Sequence, residues 1–197
     1  MNTCEGGMWG TGDVLMVDGV ETMFMYFTLE EMTAYLNKVL AGRHLDNENG
    51  FYPVGRLATI KDIHVLYDDS DIWLTLKEMV SEYPRELSGK MVEYHLERAI
   101  DEEDFGRVLL RKDVLFYHQV LETAMDHFLQ ALYAANNTYL PSRKRSEQYI
   151  KSFPIKPKDC HERILKVISG ASSADGIQQS VGEWYALVDE LKSIVRK

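Results

Sequence analysis

Residues 12–32 read GDVLMVDGVETMFMYFTLEEM. Two runs rich in Val, Phe, Tyr and Met, 13–17 and 20–27, flank the pair Asp18-Gly19. Such a two-residue connection predicts a hairpin closed by a type I′ turn, because glycine accepts a positive φ without steric cost. Thr28 then opens a capping box. Its hydroxyl can accept from the Glu31 N–H while the Glu31 carboxylate reaches back to the Thr28 N–H. The helix that follows places Met32, Tyr35, Leu36 and Val39 on one face and stops at Gly42. The hairpin also poses a question. Glu21, Met23 and Met25 share one side of the second strand, and Glu21 is the only acid on that strand.

Downstream, residues 43–56 carry Gly50, Pro53 and Gly55 among polar residues and read as a loop. The alternation in IHVLY, 63–67, predicts a strand, and Asp68-Asp69-Ser70-Asp71 a turn. A helix with Ile72, Leu76, Met79 and Val80 inward ends before Pro84. From residue 85 the strand signals disappear. Leu87, Met91, Tyr94, Leu96 and Ile100 predict a helix, and the acidic run 101–104 with Gly106 marks a break or a solvated face. Val114, Tyr117, Leu121, Met125, Phe128, Leu132 and Ala135 recur at steps of three and four, which predicts one long helix over 108–139. It ends at Asn136-Asn137, with Pro141 beyond. Shorter helices are expected near 143–152, 159–168 and 174–195. The last carries an apolar stripe of Trp184, Leu187, Val188, Leu191 and Val195, read as core or dimer seam. The expected fold class is α+β, predominantly α, with a small antiparallel or mixed sheet followed by a helical bundle. The expected domains are 1–84 and 85–197.

The chain has 197 residues, 45% of them hydrophobic and 27% charged, which is the composition of a folded core. Its net charge of −9, from 22 basic and 31 acidic residues, repels nucleic acid and anionic membranes unless the bases gather locally. They gather at Arg143-Lys144-Arg145, with Lys151, Lys156 and Lys158 following. That segment is either a solvated loop or a site for a phosphate or carboxylate. The cysteines, Cys4 and Cys160, form no CxxC pair, which suits a reducing cytoplasm. The first residues lack a signal-peptide pattern, and no run of 18 apolar residues occurs. A cytoplasmic location without a membrane span is the expectation.

Three stretches together resemble the nucleotidyltransferase superfamily, especially bacterial members related to the aminoglycoside nucleotidyltransferases. They are the hairpin running into TLEE, the segment YPVGRLATIKDIHVLYDDSD, and AANNTYLPSRK. The last resembles an Asn-x-x-Tyr-x-Pro-x-x-Lys signature and maps it onto Asn136, Tyr139, Pro141 and Lys144. The resemblance covers roughly residues 13–170. It implies transfer of a nucleoside monophosphate from a nucleoside triphosphate to a hydroxyl on an acceptor. Such chemistry needs Mg²⁺ held by carboxylates. The family supplies a Gly-Ser phosphate turn, an Asp-x-Asp pair after it, and a third carboxylate on a later strand. The first two are not found in place here, since Asp69-x-Asp71 follows the late Leu-Tyr-Asp strand. The hairpin aligns with the later strands, so the N-terminal catalytic half is expected to be missing from this chain. Met23 and Met25 stand where the third carboxylate belongs. A thioether is too soft a donor to replace it on Mg²⁺, which leaves Glu21 as the local substitute.

Two other constellations are candidates. His118, Glu122 and Asp126 lie at i, i+4 and i+8, on one helix face, and form either a divalent-metal cluster or a polar stripe. The resemblance places Asn136, Tyr139 and Lys144, with Arg143 beside them, as substrate-binding residues facing the interdomain cleft. The residues alone equally allow Asn136 to cap its helix and Tyr139 to pack beneath Pro141. Three functional readings follow. The first is a nucleotidyltransferase-like protein that lacks the catalytic metal site. The second is a non-catalytic module that binds a nucleotide or small-molecule acceptor, or pairs as a homodimer. The third is an active Mg²⁺-dependent enzyme using Glu21 with Asp69 and Asp71.

Overall fold

The computed structural model describes residues 2–5 (as backbone), 11–47 and 51–196. The Cys4 side chain and Gly50 of the expected loop fall outside that description. The fold is α+β and predominantly α. The chain divides into two compact units, Met1–Glu82 and Tyr83–Lys197. No helix among the described residues is long and apolar enough to cross a membrane.

The first unit opens with an antiparallel sheet in the order β1-β2-β3, formed by β1 (Asn2–Glu5), β2 (Thr11–Val17) and β3 (Val20–Tyr26). The β2–β3 turn has φ 51° at Asp18 and 80° at Gly19. Positive values at both positions make it type I′ and match the right-handed twist of the strands. The register runs without a bulge from Val17↔Val20 to Thr11↔Tyr26. Gly12 lies opposite Met25, and a Cβ there would come within 2.6 Å of the Met25 sulfur. Thr28 and Glu31 close the capping box at 3.1 Å in both directions. They start α1 (Leu29–Leu40), whose buried face is Met32, Leu36 and Val39.

The expected loop over 43–56 is corrected in its second half. Helix α2 (Pro53–Asp62) begins at Pro53, where the missing N–H costs nothing because a first-turn amide has no helical partner. Val54, Leu57, Ala58 and Ile60 are buried. The Arg56 guanidinium lies 4.3 Å from the Tyr35 ring centre, and the Tyr35 hydroxyl donates to the Pro53 carbonyl (3.0 Å). The expected strand over 63–67 is also corrected. The segment has no partner strand among the described residues, so its alternation goes unused, and Leu66 and Tyr67 are 90% and 76% exposed. Helix α3 (Ile72–Met79) buries Leu76, while Ile72, expected inward, is exposed. The Asp68 carboxylate starts this helix by accepting from the N–H groups of Ile72 (2.9 Å), Trp73 (2.9 Å) and Leu74 (3.2 Å). Phe27 meets Trp73 edge-to-face at 6.1 Å, tying the hairpin to α3.

The second unit is a bundle: α4 (Arg85–Arg98), α5 (Glu102–Arg111), α6 (Val114–Ala135), α7 (Ser146–Ser152), α8 (Cys160–Gly170) and α9 (Ile177–Val195). The single long helix expected over 108–139 is two helices. Lys112 turns left-handed (φ 54°), and Asp113 caps the new start by accepting from the Phe116 N–H (3.1 Å). The acidic run forms the N-terminus of α5, with Asp101 accepting from the Asp104 N–H (3.0 Å), and Gly106 lies inside that helix. Helix α6 is the centre of the bundle, buried from Phe128 through Ala134. Helix α4 packs along it, α5 and α9 cover it, and α8 packs on α9. Trp184 sits fully buried 5.3 Å from Phe128, and its indole N–H donates to the Ala99 carbonyl (2.9 Å).

Candidate functional site

The sheet decides whether a metal-binding carboxylate set is present. Glu21 pairs with Met16 across the hairpin and is exposed. Its face of the sheet carries Gly12, Val14, Met16, Met23 and Met25, since directly paired residues point the same way. The hairpin strands hold one more acid, Asp13, which pairs with Phe24 and therefore points to the opposite face. Asp13 is largely buried and accepts from the Tyr26 hydroxyl (3.1 Å), a bond that holds the Tyr26 phenol above its ordinary range. Asp13 and Glu21 thus sit on opposite faces of one sheet. Asp69 accepts from the hydroxyls of Tyr67 (3.1 Å) and Ser70 (3.0 Å). Asp71 takes a left-handed backbone conformation at the start of α3. Among the described residues, no three His, Cys, Asp or Glu side chains converge where a metal ion could be held. The described residues do not bring together the carboxylates that a Mg²⁺ centre needs.

The helical stripe resolves differently from a metal cluster. Asp126 receives the Arg143 guanidinium in two-pronged fashion, from Nε (2.6 Å) and Nη2 (2.7 Å), and Glu122 receives Nη1 (3.3 Å). His118 turns edge-on to the Tyr117 ring. Spacing along the helix correctly grouped the two acids, but their cation comes from the loop beyond α6.

Around the end of α6 the other expected binding residues do structural work. The Asn136 amide donates to the carbonyls of Leu132 (2.8 Å) and Ile155 (2.7 Å) and accepts from the Ile155 N–H (3.0 Å). One amide hydrogen thus closes back on α6, while the other and the amide oxygen hold Ile155 to the helix end. Tyr139 is buried and stacked on Tyr83 at 4.6 Å, and burial pushes its phenol up to about 12. Lys144 is exposed, and its N–H donates to the Ser142 hydroxyl (3.1 Å). The structure brings Asn136, Tyr139 and Arg143 to one helix end, where each holds the fold. Cys160 is buried, and its thiol is likewise pushed up to about 12, far from thiolate chemistry.

Elsewhere in the bundle, the end of α4, the link to α5 and the stretch of α6 from Phe116 to His127 leave a cleft of about 470 Å³. Its apolar wall is Ile100, Phe116, Val120 and Ala124, and its polar groups are Gln119, Thr123 and His127. Acids outnumber bases at the rim, with Glu97, Asp101, Glu102 and Asp104 against Arg98. Arg98 stacks on the Tyr94 ring, 3.7 Å from its centre, and donates to the Tyr94 carbonyl (2.9 Å). At the base, His127 Nδ1 lies 2.8 Å from Nδ1 of the fully buried His95. One nitrogen must donate and the other accept, which ties α4 to α6 and fixes both ring orientations. The sequence reading missed this site, although a signal was present. Leu87, Met91, His95 and Ala99 fall at steps of four, so His95 is a polar residue on the inward stripe of α4.

Residues 51–145 match the model of a family described as a domain of unknown function (DUF4037). The matched stretch contains every residue of the cleft and the His95–His127 pair, and ends among the residues that hold the end of α6. No curated protein matches the chain. No solved structure matches it either.

Proposed function

We propose that this chain is a nucleotidyltransferase-like protein that binds a small hydroxyl-bearing molecule without transferring a nucleotide to it, and that it works as a homodimer. One observation carries the non-catalytic half of this reading. The two acids of the hairpin strands point to opposite faces, and Met23 and Met25 occupy the other β3 positions on the Glu21 side. A phosphoryl-transfer centre needs hard oxygen ligands converging on one ion, and thioethers do not supply them. The binding half is supported by the α4–α5–α6 cleft. Its mix of an apolar wall and a few converging polar groups is what small-molecule sites have in common. The excess of carboxylates at its rim favours a ligand carrying amines as well as hydroxyls.

Thr123 is exposed on the cleft wall. Thr123→Trp is therefore expected to fill the cleft while changing stability by no more than about 0.5 kcal/mol, the usual range for an exposed position. The check is calorimetric titration with glucosamine. The parent chain is expected to bind it, and the variant to lose at least tenfold in affinity. Equal binding by parent and variant would remove the cleft from the account.

A further inference from the structure

We infer that the outer edge of β3 pairs with the same edge of a second copy of this chain, in one register centred on Met23. The inference rests on the homodimer reading and names its surface. Among the described residues the sheet order is β1-β2-β3, which leaves β3 at an edge. Edge strands are normally defended by charge, proline or a bulge. Here the strand VETMFMY has a single charge at its turn end, contains no proline and runs seven residues without a bulge.

The hairpin geometry says which backbone groups face outward. In a hairpin with a two-residue turn, the flanking residues Val17 and Val20 exchange hydrogen bonds, and such pairs alternate along the ladder. Thr22, Phe24 and Tyr26 therefore also turn their N–H and C=O groups toward β2. Glu21, Met23 and Met25 turn theirs outward. An antiparallel twofold centred on Met23 places Met23 against its own copy and Glu21 against Met25 of the other strand. All the outward groups are then satisfied, forming about six hydrogen bonds. The neighbouring register that opposes Glu21 to Glu21 forms fewer bonds and sets two carboxylates together.

The side chains agree with that register. Met16, Val20, Met23, Phe24 and Tyr26 are between 41% and 67% exposed, flanking the seam on both faces. Joined edge to edge, the two sheets make one continuous sheet in which Val14, Met16, Met23 and Met25 of both copies share a face with Glu21, whose carboxylate stands beside Met25 of the other copy. Methionines suit such a face because the unbranched thioether adapts to its neighbour.

Sedimentation equilibrium and disulfide trapping test this together, using the full chain with Cys4 changed to serine. The parent is expected to sediment as a dimer. Met23→Cys is expected to form an intermolecular disulfide on mild oxidation, because the two Met23 positions are separated by about 5.5 Å between Cα atoms in such a pair. Thr22→Cys, which faces Phe24 of the other copy, is expected not to. Met23→Pro removes an outward N–H and leaves the β2 ladder intact, and is expected to yield a monomer with an unchanged circular dichroism spectrum. A dimer that survives Met23→Pro and forms no Met23→Cys disulfide overturns the edge pairing while leaving the homodimer reading in place. A parent chain that stays monomeric at high concentration overturns both.

Discussion

Trp184→Ala is expected to lower the unfolding free energy of the helical unit by about 4 kcal/mol, the usual cost of truncating a large buried aromatic. Trp184 is fully buried against Phe128, so the change leaves a void beside the central helix. It also removes the indole donor to the Ala99 carbonyl (2.9 Å). That carbonyl lies at the end of α4, directly before Ile100 and Asp101 of the cleft. The variant is therefore expected to weaken ligand binding as well as stability, although Trp184 does not line the cleft. Trp184→Phe separates the two effects. It keeps most of the volume but drops the hydrogen bond, and is expected to lose about 1 kcal/mol. Urea unfolding of the three proteins measures the series. A loss below about 1 kcal/mol for the alanine variant would contradict the packing described.

Asn136→Ala is expected to cost about 2 kcal/mol of stability. The side chain joins Leu132 to Ile155 by three hydrogen bonds, and without it the helix end loses its hold on the 153–158 strap. Water can reach part of this region, which keeps the loss below that of a fully buried network. Asn136→Asp is more informative. A carboxylate still accepts from the Ile155 N–H, but it faces the Leu132 and Ile155 carbonyls with no hydrogen to give. The aspartate variant is therefore expected to be less stable than the alanine variant at neutral pH. A residue reserved for ligand would behave differently, since both changes would leave unfolding unaltered and alter binding only. Thermal unfolding beside glucosamine titration distinguishes the two roles.

What could be read from the sequence was mainly local chemistry. Asp18-Gly19 and the Thr28–Glu31 box act within a few residues, and both formed as expected. The apolar periods located α1, α4 and the final helix for the same reason. The strand expected at 63–67 failed because alternation describes a strand only when a neighbour pairs with it. Helix α2 was hidden by Pro53 and Gly55, which resemble loop residues even where the first serves as a helix start. The helix expected over 108–139 was divided by one left-handed residue, Lys112, just before the apolar period that starts at Val114.

The candidate site was less legible because its partners lie far apart in the chain. Arg143 meets Asp126, Asn136 meets Ile155, and His95 meets His127 only after the bundle has formed. The question raised by Glu21, Met23 and Met25 also changes. Their alternation was read as a site with its carboxylates missing. In the proposed dimer it becomes the outward backbone edge of a strand that pairs with itself.

The most direct test of the central claim, binding without nucleotidyl transfer, is to incubate the chain with Mg²⁺ or Mn²⁺, the α-phosphate-labelled nucleoside triphosphates and glucosamine. The account predicts no label on the sugar and no pyrophosphate above a protein-free control. Metal-dependent labelling of glucosamine that Glu21→Gln abolishes would contradict it.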